Sequence, residues 1–511
     1  MFSRHFCIVI CCLSGVLWSW QRLAYSQDQP ANANRFTFEI SKETTFVTEP
    51  TTESGFVDLA AAINQHFSEG ITPETNAAVP IYQAFGRIVD GRELSDRFYE
   101  LLGMAKPDDS TPHFESYHRY YNRLEGMENQ DLMLQEFDRA LERPWTSEDC
   151  PAVLKWVSAQ TRYLHEVEEG VQRPHYYLPV AVAQDDPAAG QQLMAVLLPG
   201  VQSSRDLGRA FSARALLQLG EGHPDDAWQD AVTTMRLGRH VSHGAFLIEG
   251  LVGIAIENMG IDAAIRIIVC DDLDQETTER YLADLGTLPP RGAFVDKLNI
   301  SERLMFVDIV NIVANGNDET REVLKLEAGL GQIPTFFSQN WLAACDFNEA
   351  LRVGHKWYDR YVEAMQITSP TKRQAAFDEL GKELETLKSS LSVAAILASV
   401  FQSENRAKTI GEKVGQTIAS ASMPQFGVVQ IVEDRAQQRH TNLRTAIVLQ
   451  AYHAEHGNYP DSLADLVPDD LPEVPQDIFA DAPLRYGKTG QGFVLYSTEA
   501  GDVVVEHQAA Q

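Results

Sequence analysis

The sequence predicts a mainly α-helical fold, with a long helical body followed by a small C-terminal α+β module. Three observations predict it. Over residues 56–422 apolar side chains recur at helical spacing, as in Trp228, Ala231, Val232 and Met235, which share one helix face. Helix-start chemistry recurs in the same stretch: Thr72-Pro73-Glu74, Thr146-Ser147-Glu148 and Pro224-Asp225-Asp226 supply caps, first-turn prolines and acids near the positive helix end. After Met423-Pro424 the character changes. Leu484–Tyr486 and Phe493–Ser497 flank a glycine-containing turn, and Asp502–Glu506 offers a third strand.

Taken from the N-terminus, residues 1–26 read as a signal peptide. Arg4 and His5 precede an uncharged apolar run, Phe6–Trp20, and Ala24-Tyr25-Ser26 places small residues as a signal peptidase requires. The run is short for a spanning helix, which needs about 20 apolar residues. Cleavage after Ser26 is therefore expected, with retention as a membrane anchor the alternative. Residues 27–55 read as an extended polar arm. The body, residues 56–422, is long enough for two subdomains. Within it, residues 245–270 are apolar on nearly every side and interrupted only by Glu249, Glu257, Asp262 and Arg266, the pattern of a buried central helix. Further helices are expected over about 294–316, 346–366 and 371–390.

The segments Leu207–Leu219 and Ala227–Arg239 are joined by Gly220-Glu221-Gly222-His223. The spacing of Gly222 and Ala227 resembles that of tetratricopeptide repeats, which implies a helical-hairpin array, although no 34-residue period repeats along the chain. Residues 423–511 form the last unit. A long helix over about 428–456 carries the stripe Leu443, Ala446, Ile447, Ala451 and Ala454, and Gly457 is placed to end it. The run Leu443–Tyr452, then His456-Gly457-Asn458-Tyr459-Pro460, Leu463, Leu466, Val467, Leu471–Pro475, Asp477, Phe479 and Phe493–Ser497, resembles the globular head of type II secretion pseudopilins. That resemblance implies a pilin-head-like α+β module. The chain departs from the family at Glu433, Asp434, Arg435, Gln437, Gln438, Arg439 and His440, where pseudopilins carry an apolar helix, and the family's calcium-binding loop is not recognisable after Ser497, so neither pilus assembly nor calcium binding is implied. Through phrases such as Ile40–Thr45 and Arg173–Tyr177 the whole chain is similar to a group of uncharacterised exported bacterial proteins, a likeness that implies no activity.

The net charge is −30, from 72 acids against 42 lysines and arginines. Such a surface repels phosphate backbones, which argues against nucleic acid and suits cations or basic surfaces. After cleavage three cysteines remain, Cys150, Cys270 and Cys345, too far apart in sequence for a disulfide framework or a zinc site. Buried thiols are the expectation, with at most one disulfide.

Catalytic motifs are near-misses. His165-Glu166 begins a zinc-protease motif but position 169 is Glu. His240 with His243, and His453 with His456, have the spacing of two ligands and lack a third. Ser203-Ser204 sits in a polar helix start, and Gly487-Lys488-Thr489 lacks the first phosphate-loop glycine and lies in a hairpin. Aromatics at Phe114, Tyr117, Tyr120, Tyr121, Tyr176 and Tyr177 fit helix packing better than a glycan platform. No catalytic residue, cofactor or metal ligand is therefore assigned. The expected function is that of an extracytoplasmic protein-interaction or scaffold protein, periplasmic or secreted, with a protein partner in the cell envelope. It would meet the membrane only if residues 1–26 are retained. The alternative is a secreted hydrolase using carboxylates in a helical groove.

Overall fold

In the computed structural model the described residues are 36–506, except 54, 109, 125–129, 182–192, 194–197, 271–272, 317–338, 424–425, 490–491 and 498–500. The expected signal peptide, residues 1–26, lies outside them. The arm is described from Phe36. Phe36–Ile40 runs extended along the body, where the Phe36 amide donates to Asn315 Oδ1 at 2.8 Å and Asn315 returns a bond to the Phe36 carbonyl. Ser41–Phe46 then turns inward, burying Thr44 and Thr45 completely. His355 Nε2 donates to the Thr44 carbonyl at 2.6 Å. This part of the arm is a strap built into the body.

The body is mainly helical. Its first elements are α1 (Leu59–Phe67), α2 (Ala78–Phe85), a two-residue ladder of β1 (Ile88–Val89) and β2 (Arg92–Glu93), and α3 (Asp96–Leu102). Next come α4 (Tyr117–Leu124), α5 (Gln130–Glu142) and α6 (Pro151–Gly170). The hairpin α7 (Val201–Gly220) and α8 (Pro224–Val241) leads to the central helix α9 (Leu247–Cys270). α10 (Gln275–Gly286) and α11 (Phe294–Lys297) follow, and α11 continues through a π-helical turn, Leu298–Glu302, into α12 (Arg303–Asn315).

The remaining helices are α13 (Gln339–Leu342), α14 (Phe347–Met365), α15 (Pro370–Ser390), α16 (Val393–Gln402), α17 (Arg406–Ser422) and the 31-residue α18 (Phe426–His456). A 3₁₀ turn at Leu463–Leu466 precedes a ladder of β3 (Gln476–Asp477) with β4 (Ala482–Pro483). The chain then forms an antiparallel sheet of β5 (Arg485–Lys488), β6 (Gly492–Ser497) and β7 (Gly501–Glu506), paired in that order.

Local chemistry explains the main joints. Gly222 closes the α7–α8 turn with φ of 84°, a left-handed conformation that glycine adopts without a side-chain clash. Across the hairpin, Arg214 Nε donates to the buried Asp230 carboxylate at 2.8 Å. α8 and α9 approach so closely that a Cβ on Gly253 would lie 2.4 Å from the Gly238 carbonyl oxygen. Only a glycine face permits that backbone contact.

The apolar interior forms two clusters. The first gathers α2 to α10, the C-terminal half of α18, and Phe493 and Leu495 of the sheet. The second gathers the arm, α1, α11, α12, α14 to α17 and the N-terminal half of α18. Two helices feed both. α9 gives Leu247 and Ile254 to the second cluster, and Val252, Ile256, Ile261 and Ile267 to the first. α18 gives Phe426, Val429 and Ala436 to the second, and Leu443, Ala446, Ile447 and Leu449 to the first.

Of the stripe read from sequence, Leu443, Ala446 and Ile447 are buried, Ala451 is half-buried and Ala454 is exposed. The helix runs past its partners before Gly457 ends it. Gln450, within the same stripe, joins α18 to α9: its Nε2 donates to the Ile268 carbonyl. The C-terminal sheet is thus joined to the body through α18.

The glycine contact has a measurable consequence. Gly253→Val should cost at least about 3 kcal/mol, the upper range for overpacking, because the obstruction is main chain that cannot rotate away. Gly487→Ala, with open space around its Cβ position, should stay within about 0.5 kcal/mol. Denaturant unfolding of both variants measures this, and equal losses would contradict the tight α8–α9 contact.

Candidate functional site

Ionisable side chains concentrate inside the protein where α8, α9, α11 and α18 meet. The start of α9 lies in the core, so water cannot satisfy its first amides. Two carboxylates do so instead. Glu249 accepts from the Phe246 amide at 2.9 Å, and Glu302, at the end of the π-helical turn, accepts from the Leu247 amide at 3.1 Å. Lys297, 1% exposed, donates to the Gly244 carbonyl in the turn before α9. Burial pulls its amine down to about 8, against the attraction of Glu249 and neighbouring acids. Burial likewise pushes the Glu302 carboxyl up to about 7, against the Leu247 amide and Lys297. Glu249 is also raised by burial. Perturbed acids and amines beside a π-turn are common at functional sites. Here each is committed to main chain at the α8–α9 turn.

Two helical turns further along α9, Glu257 is fully buried between two arginines. Arg239 Nε donates to Oε1 at 2.9 Å, and Arg291 donates to Oε2 at 2.6 Å and Oε1 at 2.8 Å. Burial pushes the carboxyl up, and Arg291 and Arg239 overcome it, leaving it below its ordinary range. The arginines then reach out of the pair. Arg239 donates to the Pro289 carbonyl at 2.9 Å and to His440 Nδ1 at 3.3 Å, while Arg291 donates to Gln437 Oε1 and the Ala436 carbonyl. Burial, aided by Arg239, holds His440 down to about 4, so it accepts as a neutral imidazole. Along α18, Arg373 of α15 pairs with the buried Asp434 at 2.5 Å, and Gln438 accepts from the Ile478 amide at 3.0 Å. The polar residues of 433–440 that set the helix apart from a pseudopilin helix include those that build this seam.

The residues singled out in sequence do not converge. His453 stacks on Tyr459 and His456 on Tyr452, with ring centroids 4.3 and 4.0 Å apart. His240 donates to the Val171 carbonyl and His243 to the Pro290 carbonyl. His165 stands exposed beside Glu168 and Glu169. The Ser203 hydroxyl donates to Asp90, which also caps the α7 amides of Gln202 and Ser203 and is thereby committed to the helix start. Gly487-Lys488 lies in β5, and Thr489 follows it. Tyr117 stacks on Phe137 at 4.5 Å and meets Trp156 edge-on, and Tyr177 donates to Asn64, so these rings belong to the packing. Cys150 and Cys345 are buried, Cys270 is exposed, and no disulfide joins them. Among the described residues no three His, Cys, Asp or Glu side chains gather at metal-holding distance.

Lys297, Glu302, Arg239 and Arg291 were not marked as site residues from sequence. The available signal was the pair of acids, Glu249 and Glu257, interrupting an apolar helix.

Among the described residues two surface features bear on function. A depression of about 240 Å³ is lined by Pro80, Gln83, Glu166, Glu169, Gly170 and Arg173. It offers no assembled acid–base pair, since Glu166 accepts from Arg162 at 2.9 Å and Arg173 donates to the Pro73 and Asn76 carbonyls. The other feature is α16, an uncharged helix with Val393 and Phe401 exposed.

The raised Glu302 pKa links stability to pH. Its folded value of about 7 exceeds its ordinary 4.5, so its contribution is fully present below the ordinary value and lost as pH rises through about 7. Glu302→Gln mimics the protonated form. The melting-temperature advantage of the native protein over this variant should therefore shrink as pH rises from 4.5 to 7. A difference independent of pH would mean that the carboxyl is not held protonated. Comparison with protein-family models, curated proteins and solved structures finds no match to this chain.

Proposed function

We propose that the protein is an extracytoplasmic interaction or scaffold protein, exported by cleavage after Ser26. The observation that carries this reading is an uncovered apolar helix. α16 has no charged residue, and only Ile396 and Val400 are buried. Val393 and Phe401 are 42% and 66% exposed. Contiguous apolar surface of this kind marks interaction sites. Catalysis calls for convergent reactive groups in a cleft, whereas the strongly perturbed groups here hold helix ends and helix crossings together.

The rest of the chain fits a framework that presents contact surfaces. The α7–α8 hairpin is read as tetratricopeptide-like, and residues 423–511 as a pilin-head-like module whose helix meets a three-stranded sheet. Both are protein-contact architectures. With a net charge of −30, the body is suited to a basic protein partner in the envelope, with salt-sensitive association.

A photo-cross-linking residue placed at Phe401 in producing cells tests the reading. It should yield an adduct with an envelope component, and the same probe at Glu385, on exposed α15 surface, should not. Absence of any adduct at 401 overturns the interaction reading. Turnover of a glycan, peptide or ester library by purified protein would establish the hydrolase alternative.

A further inference from the structure

The arm that straps onto the body is held by a latch. We infer that acid releases residues 36–47 from the groove between α12 and α14, with His355 as the group that takes the proton. This is a conformational device that stands apart from the interaction reading. The strap is built to separate. Its main-chain hydrogen bonds close on themselves, the Thr44, Thr45 and Phe46 amides donating to the Ser41 carbonyl. Body side chains tie it down. Asn315 holds Phe36, Asn348 accepts from the Glu39 amide at 3.0 Å, Arg352 pairs with Glu39 at 2.8 Å, and His355 donates to the Thr44 carbonyl. At its end Phe46 has a left-handed backbone with φ of 65°, an unfavourable conformation for a residue with a bulky side chain. The Arg303 guanidinium keeps its ring in place, 4.3 Å from the ring centre, and the His355 ring lies 5.8 Å away, centre to centre.

The latch admits one charge state while the strap is seated. His355 is 5% exposed, under the strap. Its Nε2 carries the hydrogen given to Thr44, so a second proton must go to Nδ1. Among the described residues neither Nδ1 nor Arg303 Nε has a hydrogen-bond partner. A protonated ring would therefore bury an unsatisfied donor and a second positive charge beside Arg303. Burial and Arg303 hold the imidazole down to about 4, against the Thr44 carbonyl and Asp359. With the strap lifted, the ring returns to its ordinary 6.5. The released form thus binds the proton more tightly. The seated strap is fully favoured above pH 6.5 and loses ground as pH falls from there through about 4. The other charges nearby are accounted for. Arg303 is paired with Asp359 at 2.7 Å. Glu302, at the end of the π-turn, is pushed up to about 7, so it is largely neutral over this range. Arg352 meets Glu39, Glu43 and Glu349 on the outer side, and Lys42 and Lys356 are exposed.

Hydrogen exchange of the exported chain, resolved by segment and corrected for the intrinsic pH dependence of exchange, tests the inference. From pH 7 to pH 4 the protection of residues 36–47 should fall on the order of a hundredfold, as linkage to the two His355 values requires. α9 should stay protected over the same range. His355→Gln keeps a donor for the Thr44 carbonyl and cannot take the proton. Once circular dichroism shows it folded, its strap should be equally protected at both pH values. Arg352→Gln removes the outer ion pairs and should retain the acid loss. Unchanged strap protection in the native protein, or a loss shared with α9, overturns the inference without recourse to any variant. An undiminished acid loss in His355→Gln, or its disappearance in Arg352→Gln, also overturns it and places the acid sensitivity outside His355.

Discussion

Glu257 stands fully buried between Arg239 and Arg291, and the architecture is arranged around that pairing. Two guanidinium groups and one carboxylate leave a surplus positive charge in the core. The surplus is offset by carbonyls of Pro289 and Ala436 and by neutral acceptors on Gln437 and His440. Those acceptors come from α18 and from the segment after α10, so the pair can be satisfied only when distant parts of the chain have assembled. Buried ion pairs add little net stability, but they are costly when a partner is missing. Glu257 therefore acts on specificity, fixing how α18 lies against α9. That placement carries consequences for the rest. α18 contributes apolar residues to both clusters, and its far end carries the sheet, so one register sets the geometry of the two halves.

Much of this fold was legible. Most helix positions followed from spacing, and the central helix from its nearly continuous apolar run, but the helix start expected at Thr72-Pro73-Glu74 is a turn and the helix begins at Ala78. The hairpin of β5 and β6 with a third strand came from alternation around a glycine turn. Less legible was the role of polarity. Residues 433–440 read as a departure from an apolar helix, with no signal that Asp434, Gln438 and His440 would be buried, because burial of polar groups depends on partners such as Arg373 and Arg239 that lie far away in sequence. The arm shows the same limit. Thr44 and Thr45 belong to a composition that suggests an exposed tether, yet His355 and Asn315 draw the segment into the core.

The candidate site was not legible as a site. Glu249 and Glu257 read, together with Asp262 and Arg266, as charged interruptions of an apolar core helix. Lys297 and Glu302 did not stand out, because a π-helical turn places them and no local sequence pattern announces one. The histidine pairs, which lack a third ligand in the sequence, stack on tyrosines or bond to carbonyls. The physical division is simple. Inside, ionisable groups close helix ends and crossings. Outside, α16 is apolar where the remainder is acidic, and it is this contrast that motivates a binding role at the envelope.

If the Glu257 seam makes the two clusters one unit, native-state hydrogen exchange resolved by segment measures it most directly. Slow amides of α8 in the first cluster and of α14 in the second should open with the same free energy. Glu257→Gln should lower both by the same amount, about 3–5 kcal/mol, the cost of leaving buried charge uncompensated. A loss confined to one cluster, or two opening free energies already present in the native protein, would contradict the account.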